Sequence, residues 1–374
     1  MRVTEPAESM KTLLFIPVSS PTGAGEYYRC LTLADALARR QPGVGLHICL
    51  NRHAALMQPE GLVYHLLDDS PTLDVAGVEQ VLDRLHPDIV VFDNTLRRRL
   101  LKKAGKLGAV IVYTSSRPKK RRKGFSPRKL PSIDRHWIIA PPRQQVLSTV
   151  EKGLLRLCGG ALPMFLSTLL PNPESRRRDA LLASYSFFSR DREYALFVSG
   201  GGGGTIDGHP AAMVFMQAAR RYHQTTGRPT VFVGGPLSTV VLESSGSRLE
   251  IRAVSPEQLS DLISGAMLVV CGGGSMVYHV LALERPCLAV PAGGKDQPAR
   301  IGALRKDGVI ISCPPDADAM AGAAVRLDAD EPGRQRLSRN AGQGGFANGL
   351  DQAVADLESV LEKTDDIVNP PASR

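Results

Sequence analysis

The sequence predicts an α/β fold of two Rossmann-like domains in tandem, followed by a helix that crosses between them. Three observations predict this fold. Short apolar segments alternate with amphipathic ones through both halves of the 374-residue chain, glycine-rich turns follow several apolar segments, and one helical segment closes the chain. Such alternation is typical of parallel sheets covered by helices on both faces.

The first half of the chain is expected to form one domain over residues 11–165. Its predicted strands lie at residues 11–19, 46–50, 89–93, 110–114 and 137–140, and its predicted helices at 26–40, 75–85 and 146–157. Residues 166–190 contain prolines and a run of arginines, which favours an interdomain connection there.

The second half repeats the alternation and is expected to form a domain over residues 191–348. Its predicted strands lie at residues 195–199, 230–234, 249–253, 268–271, 287–290 and 309–312. A final helix is predicted over residues 349–363, where one apolar face recurs at helical spacing and is expected to pack across both domains. That face consists of Leu350, Ala353, Val354, Leu357, Val360 and Leu361.

Composition and cysteine usage exclude several classes of protein. Hydrophobic residues make up 43% of the chain, and the apolar run at residues 13–18 is too short for a signal peptide or a membrane span. Six cysteines lie without a C-x-x-C pair, which argues against a zinc site and for reduced, buried thiols. We therefore expect a cytoplasmic protein without a metal site.

The positive charge is concentrated in one tract. The formal net charge is +9, yet residues 97–129 hold 14 Lys or Arg and no acid, which leaves about −5 for the remainder. Residues 117–129, RPKKRRKGFSPRK, form either a solvated mobile loop or a surface for anionic lipid or a phosphorylated, lipid-linked acceptor. Phe125 would then be a shallow membrane anchor. Because the tract holds one aromatic residue and no nucleic-acid module accompanies it, nucleic acid is not an expected partner. The proposed contacts are Lys119, Lys120, Arg121, Arg122 and Lys123.

Residues 269–301, VVCGGGSMVYHVLALERPCLAVPAGGKDQPARI, contain a strand, a glycine turn, a helix, a second strand and a polar loop in succession. Glycines at 272–274 allow a tight turn whose backbone amides face a bound anion, and Ser275 is expected to cap the helix. The polar loop opens at the carboxyl end of a strand, where ligands bind in open α/β sheets. This order predicts a nucleotide pocket.

Five consecutive glycines, residues 200–204, follow another predicted strand and precede Thr205. No G-K-[ST] follows, and the spacing does not satisfy the dinucleotide fingerprint, so ATP hydrolysis and NAD binding are disfavoured. Backbone amides at a helix N-terminus are expected to contact phosphate here, with hydroxyls from Ser199 and Thr205.

These segments resemble the GT-B glycosyltransferases related to the N-acetylglucosaminyltransferase of peptidoglycan synthesis and to the UDP-sugar hydrolase of pseudaminic acid synthesis. The resemblance implies a nucleotide-sugar site in the second domain, without a metal or other cofactor. His279 stands where those relatives carry a ribose-binding glutamate, and Asp296 and Gln297 match their D-Q loop. The donor residues implied are Ser199, Gly200, Gly201, Gly202, Gly203, Thr205, Gly234, Val254, Gly273, Gly274, Ser275, Met276, His279, Asp296 and Gln297.

The acceptor side is predicted at the start of the first helix, in the segment TGAGEYYR. Gly23 and Gly25 allow close approach of a substrate, and Arg29 follows on the helix. The resembled enzymes carry a histidine, a candidate base, where this chain has Glu26. Glu26 is the first candidate for the base that deprotonates an acceptor hydroxyl, and Asp93, at a strand end, is the second.

Together with the predicted nucleotide pocket, the resemblance implies transfer of a sugar from a nucleotide diphosphate sugar to a hydroxyl acceptor, a cell-envelope or polysaccharide glycan, lipid-linked or free. Contact of the basic tract with lipid would place the protein at the inner face of the plasma membrane. Two alternatives stay open: a hydrolase that transfers the same donor sugar to water, and a GT-B binding protein without catalysis.

Overall fold

The computed structural model describes residues 11–19, 25–54, 56–185 and 193–368, with side chains as far as residue 362. These residues form two parallel sheets of seven and six strands, each flanked by helices. The predicted α/β fold of two Rossmann-like domains is confirmed. Among the described residues, no helix is both long and apolar enough to cross a membrane.

The first sheet has the strand order β3-β2-β1-β4-β5-β6-β7, and every pairing in it is parallel. Its central strands β1, β4 and β5 are buried on both faces because helices cover both. The strands are β1 (Thr12–Pro17), β2 (Gly45–Asn51), β3 (Val63–Leu67), β4 (Ile89–Asp93), β5 (Val110–Ser115), β6 (Arg135–Ile139) and β7 (Met164–Leu166). The helices are α1 (Gly25–Arg40), α2 (Val75–Leu85), α3 (Arg98–Lys106), α4 (Pro118–Gly124) and α5 (Thr149–Cys158).

The second sheet has the order β12-β11-β8-β13-β14-β15, again parallel throughout. A short antiparallel hairpin, β9 with β10, stands apart from it. The strands of the second sheet are β8 (Tyr194–Val198), β11 (Thr230–Val233), β12 (Arg248–Ile251), β13 (Ala266–Gly272), β14 (Cys287–Val290) and β15 (Ile311–Ser312). The strands of the hairpin are β9 (Thr205–Ile206) and β10 (His209–Pro210). The helices of this half and the chain end are α6 (Ser175–Ala183), α7 (Ala211–Thr226), α8 (Pro256–Gly265), α9 (Met276–Ala282), α10 (Gln297–Lys306), α11 (Ala317–Ala329), α12 (Glu331–Gln343) and α13 (Leu350–Val368).

Both sheets reverse their strand order at one point, between β1 and β4 in the first and between β8 and β13 in the second. Chain connections leave such a switch point in opposite directions, which opens a crevice at the carboxyl ends of the two strands. The segments after β1 and β4 and those after β8 and β13 are the ones in which the sequence predicts function.

Helix α13 returns the chain to the first domain. Its predicted apolar face is buried in the core of that domain, beside residues of β1 and α1. The indole Nε1 of Trp137 on β6 donates to Asp356 Oδ2 at 2.8 Å. At the crossing, the Asn348 side chain accepts from the backbone N of Leu170 at 3.2 Å and donates to its O at 2.7 Å. The helix therefore completes the first core rather than packing equally on both domains.

The connecting segment is fixed to the second domain through α6. The Arg177 guanidinium donates to the buried Asp261 carboxylate of α8 at 2.5 and 2.9 Å.

The helix expected from residue 146 begins at Thr149, because Ser148 and Glu151 form a capping box there. An Arg143–Asp307 ion pair of 2.5 Å joins the domains at the surface.

Candidate active site in the interdomain cleft

Glu26 lies in the first turn of α1, at the switch point of the first sheet, and only 8% of it is exposed. Its Oε1 accepts hydrogen bonds from Asn94 Nδ2 at 2.8 Å and from the Arg117 guanidinium at 3.3 Å. Oε2 has no hydrogen bond within the described part of the chain. The hydrogen bonds to Oε1 fix the orientation of the carboxylate, and Oε2 is left able to accept a proton from a substrate.

Asp93, the second candidate base, lies at the end of β4 and is 1% exposed. Arg29 donates to both carboxylate oxygens at 2.7 Å. Burial raises the pKa of Asp93 to about 6, and the Arg29 charge offsets part of that effect. Both carboxylate oxygens of Asp93 are thus occupied by Arg29, and the geometry favours Glu26 for contact with a substrate. The role of Asp93 as a base stays a prediction.

Asn94 is a site residue that sequence reasoning did not select. It is fully buried in the left-handed conformation at φ 54°, where asparagine is tolerated better than most residues. Its Nδ2 also donates to Ser116 Oγ at 2.7 Å, and its Oδ1 accepts from Ser116 N at 3.1 Å. Polar residues after adjacent strands β4 and β5 were the signal that could have revealed this contact.

The two domains approach each other at the N-terminal half of α1. A Cβ placed on Gly25 would lie 3.9 Å from Ser275 Oγ in the second domain. The positive charge of Arg29 lowers the pKa of His279 on α9, and that of Arg117 lowers the pKa of Asp296 before α10, so both arginines lie close to the second domain. The first turn of α1 and Arg117 therefore lie beside the loops that follow β13 and β14 in the second domain. Gly23 lies outside the described residues.

The glycine-rich loop after β8 packs between two other strand-end loops. A Cβ on Gly202, at φ 82°, would lie 2.6 Å from Ser238 N and 2.8 Å from Gly234 O. Ser199 Oγ donates to the same carbonyl of Gly234 at 2.7 Å. Gly235, at φ 90°, is equally closed to a side chain, because a Cβ there would meet Gly200 O. These contacts show that the backbone of Gly200 to Gly202 lies against the neighbouring loop.

The expected helix does not begin at these glycines. Thr205 is exposed in β9, the hairpin follows, and α7 begins only at Ala211. A Cβ on Gly204 would meet the carbonyl of Ala292, so the loop turns toward β14 before the chain can enter a helix. Phosphate contact at this loop would therefore involve turn amides and not a helix N-terminus.

The turn after β13 leads directly into α9, where Gly273, Gly274 and Met276 precede His279. Ser275 is exposed and has helical backbone angles, so it does not cap the helix through its side chain as expected. His279 is half-buried. Burial, and then the Arg29 charge, lower its pKa to about 4, so the imidazole is neutral near pH 7.

The D-Q loop is fixed at the start of α10. Gln297 Oε1 accepts from Ala292 N at 2.6 Å, and Asp296 accepts from Arg300 at 2.5 Å. Although burial alone would raise it, the pKa of Asp296 is lowered, chiefly by the Arg300 charge. Val254, beyond β12, packs half-buried against the core of the second domain.

The basic tract is not a mobile loop, because residues 118–124 form α4. Lys120 Nζ donates to Asn94 O at 2.6 Å, and Arg121 donates to both carboxylate oxygens of Glu151 at 2.7 and 2.8 Å. Phe125 is 2% exposed and packs on His136 at a ring separation of 5.2 Å, so it is not a surface anchor. Lys119, Arg122 and Lys123 are exposed.

Comparisons with solved structures identify the architecture. The kitacinnamycin glycosyltransferase superposes with a TM-score of 0.62 and 15% identity, covering 93% of this chain and 98% of that one. The spinosyn forosaminyltransferase SpnP has a TM-score of 0.60 and 16% identity, covering 94% and 99%. UGT2 of Phytolacca americana, solved with UDP-2-fluoro-glucose and pterostilbene, has a TM-score of 0.60 and 12% identity, covering 95% and 100%. In sequence, no family model and no curated protein matches the chain.

The two parallel domains, the crossing helix and these similarities define a GT-B fold. Sequence identities of 12–16% support the fold and not a particular activity.

Proposed function

We propose that the protein is a glycosyltransferase that moves a sugar from a nucleotide diphosphate sugar to a hydroxyl acceptor. One observation supports this most: the first turn of α1, which carries the oriented Glu26 carboxylate, lies against the turn after β13 in the second domain, where Gly25 approaches Ser275. The solved glycosyltransferases with this fold add support, as does the UDP-sugar in UGT2. The second domain would bind the donor and the first domain the acceptor.

In this scheme Glu26 removes the proton of the acceptor hydroxyl as that oxygen attacks the donor sugar. Asn94 and Arg117 hold Glu26 in place. Backbone amides of the loops after β8 and β13 would stabilise charge on the departing diphosphate, where charge develops in the transition state. The neutral imidazole of His279 would hydrogen-bond a ribose hydroxyl of the donor. The scheme assigns no role to a metal ion.

The proposed acceptor is a cell-envelope or polysaccharide glycan, lipid-linked or free. The exposed cations of α4 support an anionic acceptor, and contact with acidic lipid would place the protein at the inner face of the plasma membrane. A hydrolase remains a second candidate, since Glu26 could as readily orient a water molecule against the same donor.

The proposal is tested first by thermal unfolding with UDP, GDP, TDP, CDP, ADP and their sugar conjugates, each with and without EDTA. A nucleotide at about 100 times its Kd should stabilise the fold by roughly 2.7 kcal/mol, in EDTA as well. Turnover of the stabilising sugar conjugate, with and without candidate acceptors, then separates transferase, hydrolase and inactive binder. If none of these nucleotides stabilises the protein, the proposed donor site is refuted.

Gly202→Ala should weaken binding of the stabilising nucleotide at least about tenfold and lower stability by roughly 1–3 kcal/mol, because the left-handed backbone and the close Gly234 carbonyl exclude a Cβ. Calorimetric titration and thermal unfolding measure the two effects. The matched control is Gly208→Ala, at a similar φ of 81° in the β9–β10 hairpin and outside the predicted donor residues, where the Cβ meets no described atom within 4 Å. Equal affinities in both variants and the parent would contradict a phosphate role for this loop.

A further inference from the structure

Five cations gather where β4 and β5 end. This strand-end cluster consists of Arg97, Arg117, Lys120, Lys123 and Lys129. Lys120 and Lys129 bond carbonyls of the segment 94–96, which Arg97 continues, and Lys123 lies about one helical turn after Lys120 on α4. Electrostatic effects of Lys123 and Arg97 on Lys120 and Lys129 agree with this placement in one region. Arg121, on the same helix, is excluded because Glu151 neutralises it.

Backbone carbonyls, and not carboxylates, hold three members of the strand-end cluster. Lys120 donates to Asn94 O at 2.6 Å, Lys129 to Leu96 O at 3.0 Å, and Arg97 to Thr72 O at 2.9 Å. Among the described residues, Glu26 is the one carboxylate bonded to the cluster, through Arg117 at 3.3 Å.

The fold thus holds five cations together, and among the described residues one carboxylate is bonded to them. Burial first, and then neighbouring cations such as Lys123, lower the pKa of Lys120 and of Lys129. The charged form of each lysine is therefore less favourable here than in water. An anion with more than one negative charge would relieve the repulsion and receive several charge-assisted hydrogen bonds.

The strand-end cluster also continues into the cleft. Arg117 bonds Glu26, and Lys120 bonds the backbone of Asn94, whose side chain bonds the same carboxylate. An anion held here would lie beside the hydroxyl that Glu26 is proposed to deprotonate. Lys119 and Arg122 of α4 are also exposed, but among the described residues no hydrogen bond or ion pair joins them to the cluster or to Glu26.

We propose that the strand-end cluster binds a phosphate group carried by the acceptor substrate. This inference rests on the proposed function, in which the first domain binds the acceptor. The phosphate would be fixed by the cations and would place the acceptor hydroxyl near Glu26. The same contacts would disfavour acceptors that lack a phosphate.

The test is calorimetric titration of the full chain with inorganic phosphate at constant ionic strength. Lys123→Gln should weaken phosphate binding about fivefold, because it removes one nearby charge from an exposed position. Among the described residues the Lys123 side chain makes no hydrogen bond or ion pair that the substitution would break. The matched control is Lys106→Gln, an exposed lysine at the far end of α3, near the amino ends of the strands. Circular dichroism verifies that both variants are folded.

Parallel sedimentation with phosphatidylglycerol–phosphatidylcholine vesicles separates the two sources of phosphate. Phosphate binding that weakens in Lys123→Gln and not in Lys106→Gln supports the site. Absence of phosphate binding, equal loss in both variants, or Lys123-dependent binding to vesicles without binding of free phosphate overturns it. Nucleotide binding is measured separately. Phosphate binding without nucleotide binding would leave this site standing and refute the proposed function, whereas nucleotide binding without phosphate binding would do the opposite.

Discussion

Glu26→Gln should lower kcat for sugar transfer by about 10²–10⁴-fold, since the carboxamide cannot accept the proton of the acceptor hydroxyl. The carboxamide oxygen can still accept the hydrogen bonds from Asn94 and Arg117, so the fold should be retained. Affinity for the nucleotide should change less than about twofold, because the donor loops lie on the other domain. Steady-state kinetics and calorimetric titration measure the two quantities.

Glu60→Gln provides the control for this substitution, as Glu60 is an exposed glutamate of the same domain. It should leave kcat and nucleotide affinity unchanged. Retained turnover in Glu26→Gln, with loss of turnover in a folded Asp93→Asn variant, would assign the base to Asp93 and refute the role given to Glu26.

Arg29→Met should destabilise the first domain by about 3–5 kcal/mol at pH 8, because it leaves the buried Asp93 carboxylate without its cation. The loss should shrink as the pH falls. Burial already raises the pKa of Asp93 to about 6 with Arg29 present, and removal of Arg29 raises it further. A carboxyl whose folded pKa exceeds its unfolded pKa stabilises the fold below the unfolded pKa, and this stabilisation disappears as the pH rises through the folded pKa.

Urea unfolding followed by tryptophan fluorescence measures this effect, because the single tryptophan, Trp137, is fully buried in the first domain. Arg39→Met is the matched control on the same helix. Arg39 pairs with Asp35 at the surface and should contribute less than about 1 kcal/mol. Equal destabilisation of the two variants, or a difference from the parent that does not depend on pH, would refute the account of the Arg29–Asp93 pair.

The strands with continuous apolar runs could be predicted closely from the sequence. The predicted segment 89–93 coincides with β4, and the predicted 287–290 coincides with β14. Strand β3 was not predicted, because its burial alternates irregularly and two of its residues, Val63 and Leu66, are exposed. Strand β7 has three residues, and pairing with β6 is what defines it.

Helices whose surface is mostly charged were harder to predict. Helices α3 and α4 carry few apolar residues, and like charges within a turn disfavour an isolated helix. In the fold, Leu100, Leu101 and Ala104 anchor α3, whereas Arg121 anchors α4 through Glu151. Both anchors depend on tertiary partners that are distant in the sequence.

The candidate site was predictable in its parts and not in its connections. Glu26 and the donor loops follow from glycine turns at strand ends, which are local signals. The contacts of Glu26 with Asn94 and Arg117 join segments 68 and 91 residues apart, so no local pattern contains them. Likewise, only the fold reveals that Arg29 neutralises Asp93.

Helix α13 has a consequence for synthesis of the chain. Its apolar face fills part of the first domain's core, so a segment made after the second domain completes the domain that precedes both. The first domain therefore cannot reach its full stability while the ribosome is still translating the second, whose strands lie between β7 and α13. Until α13 emerges, the apolar residues that it covers in the first domain lack their partner, and such exposed apolar surface favours aggregation of a nascent chain.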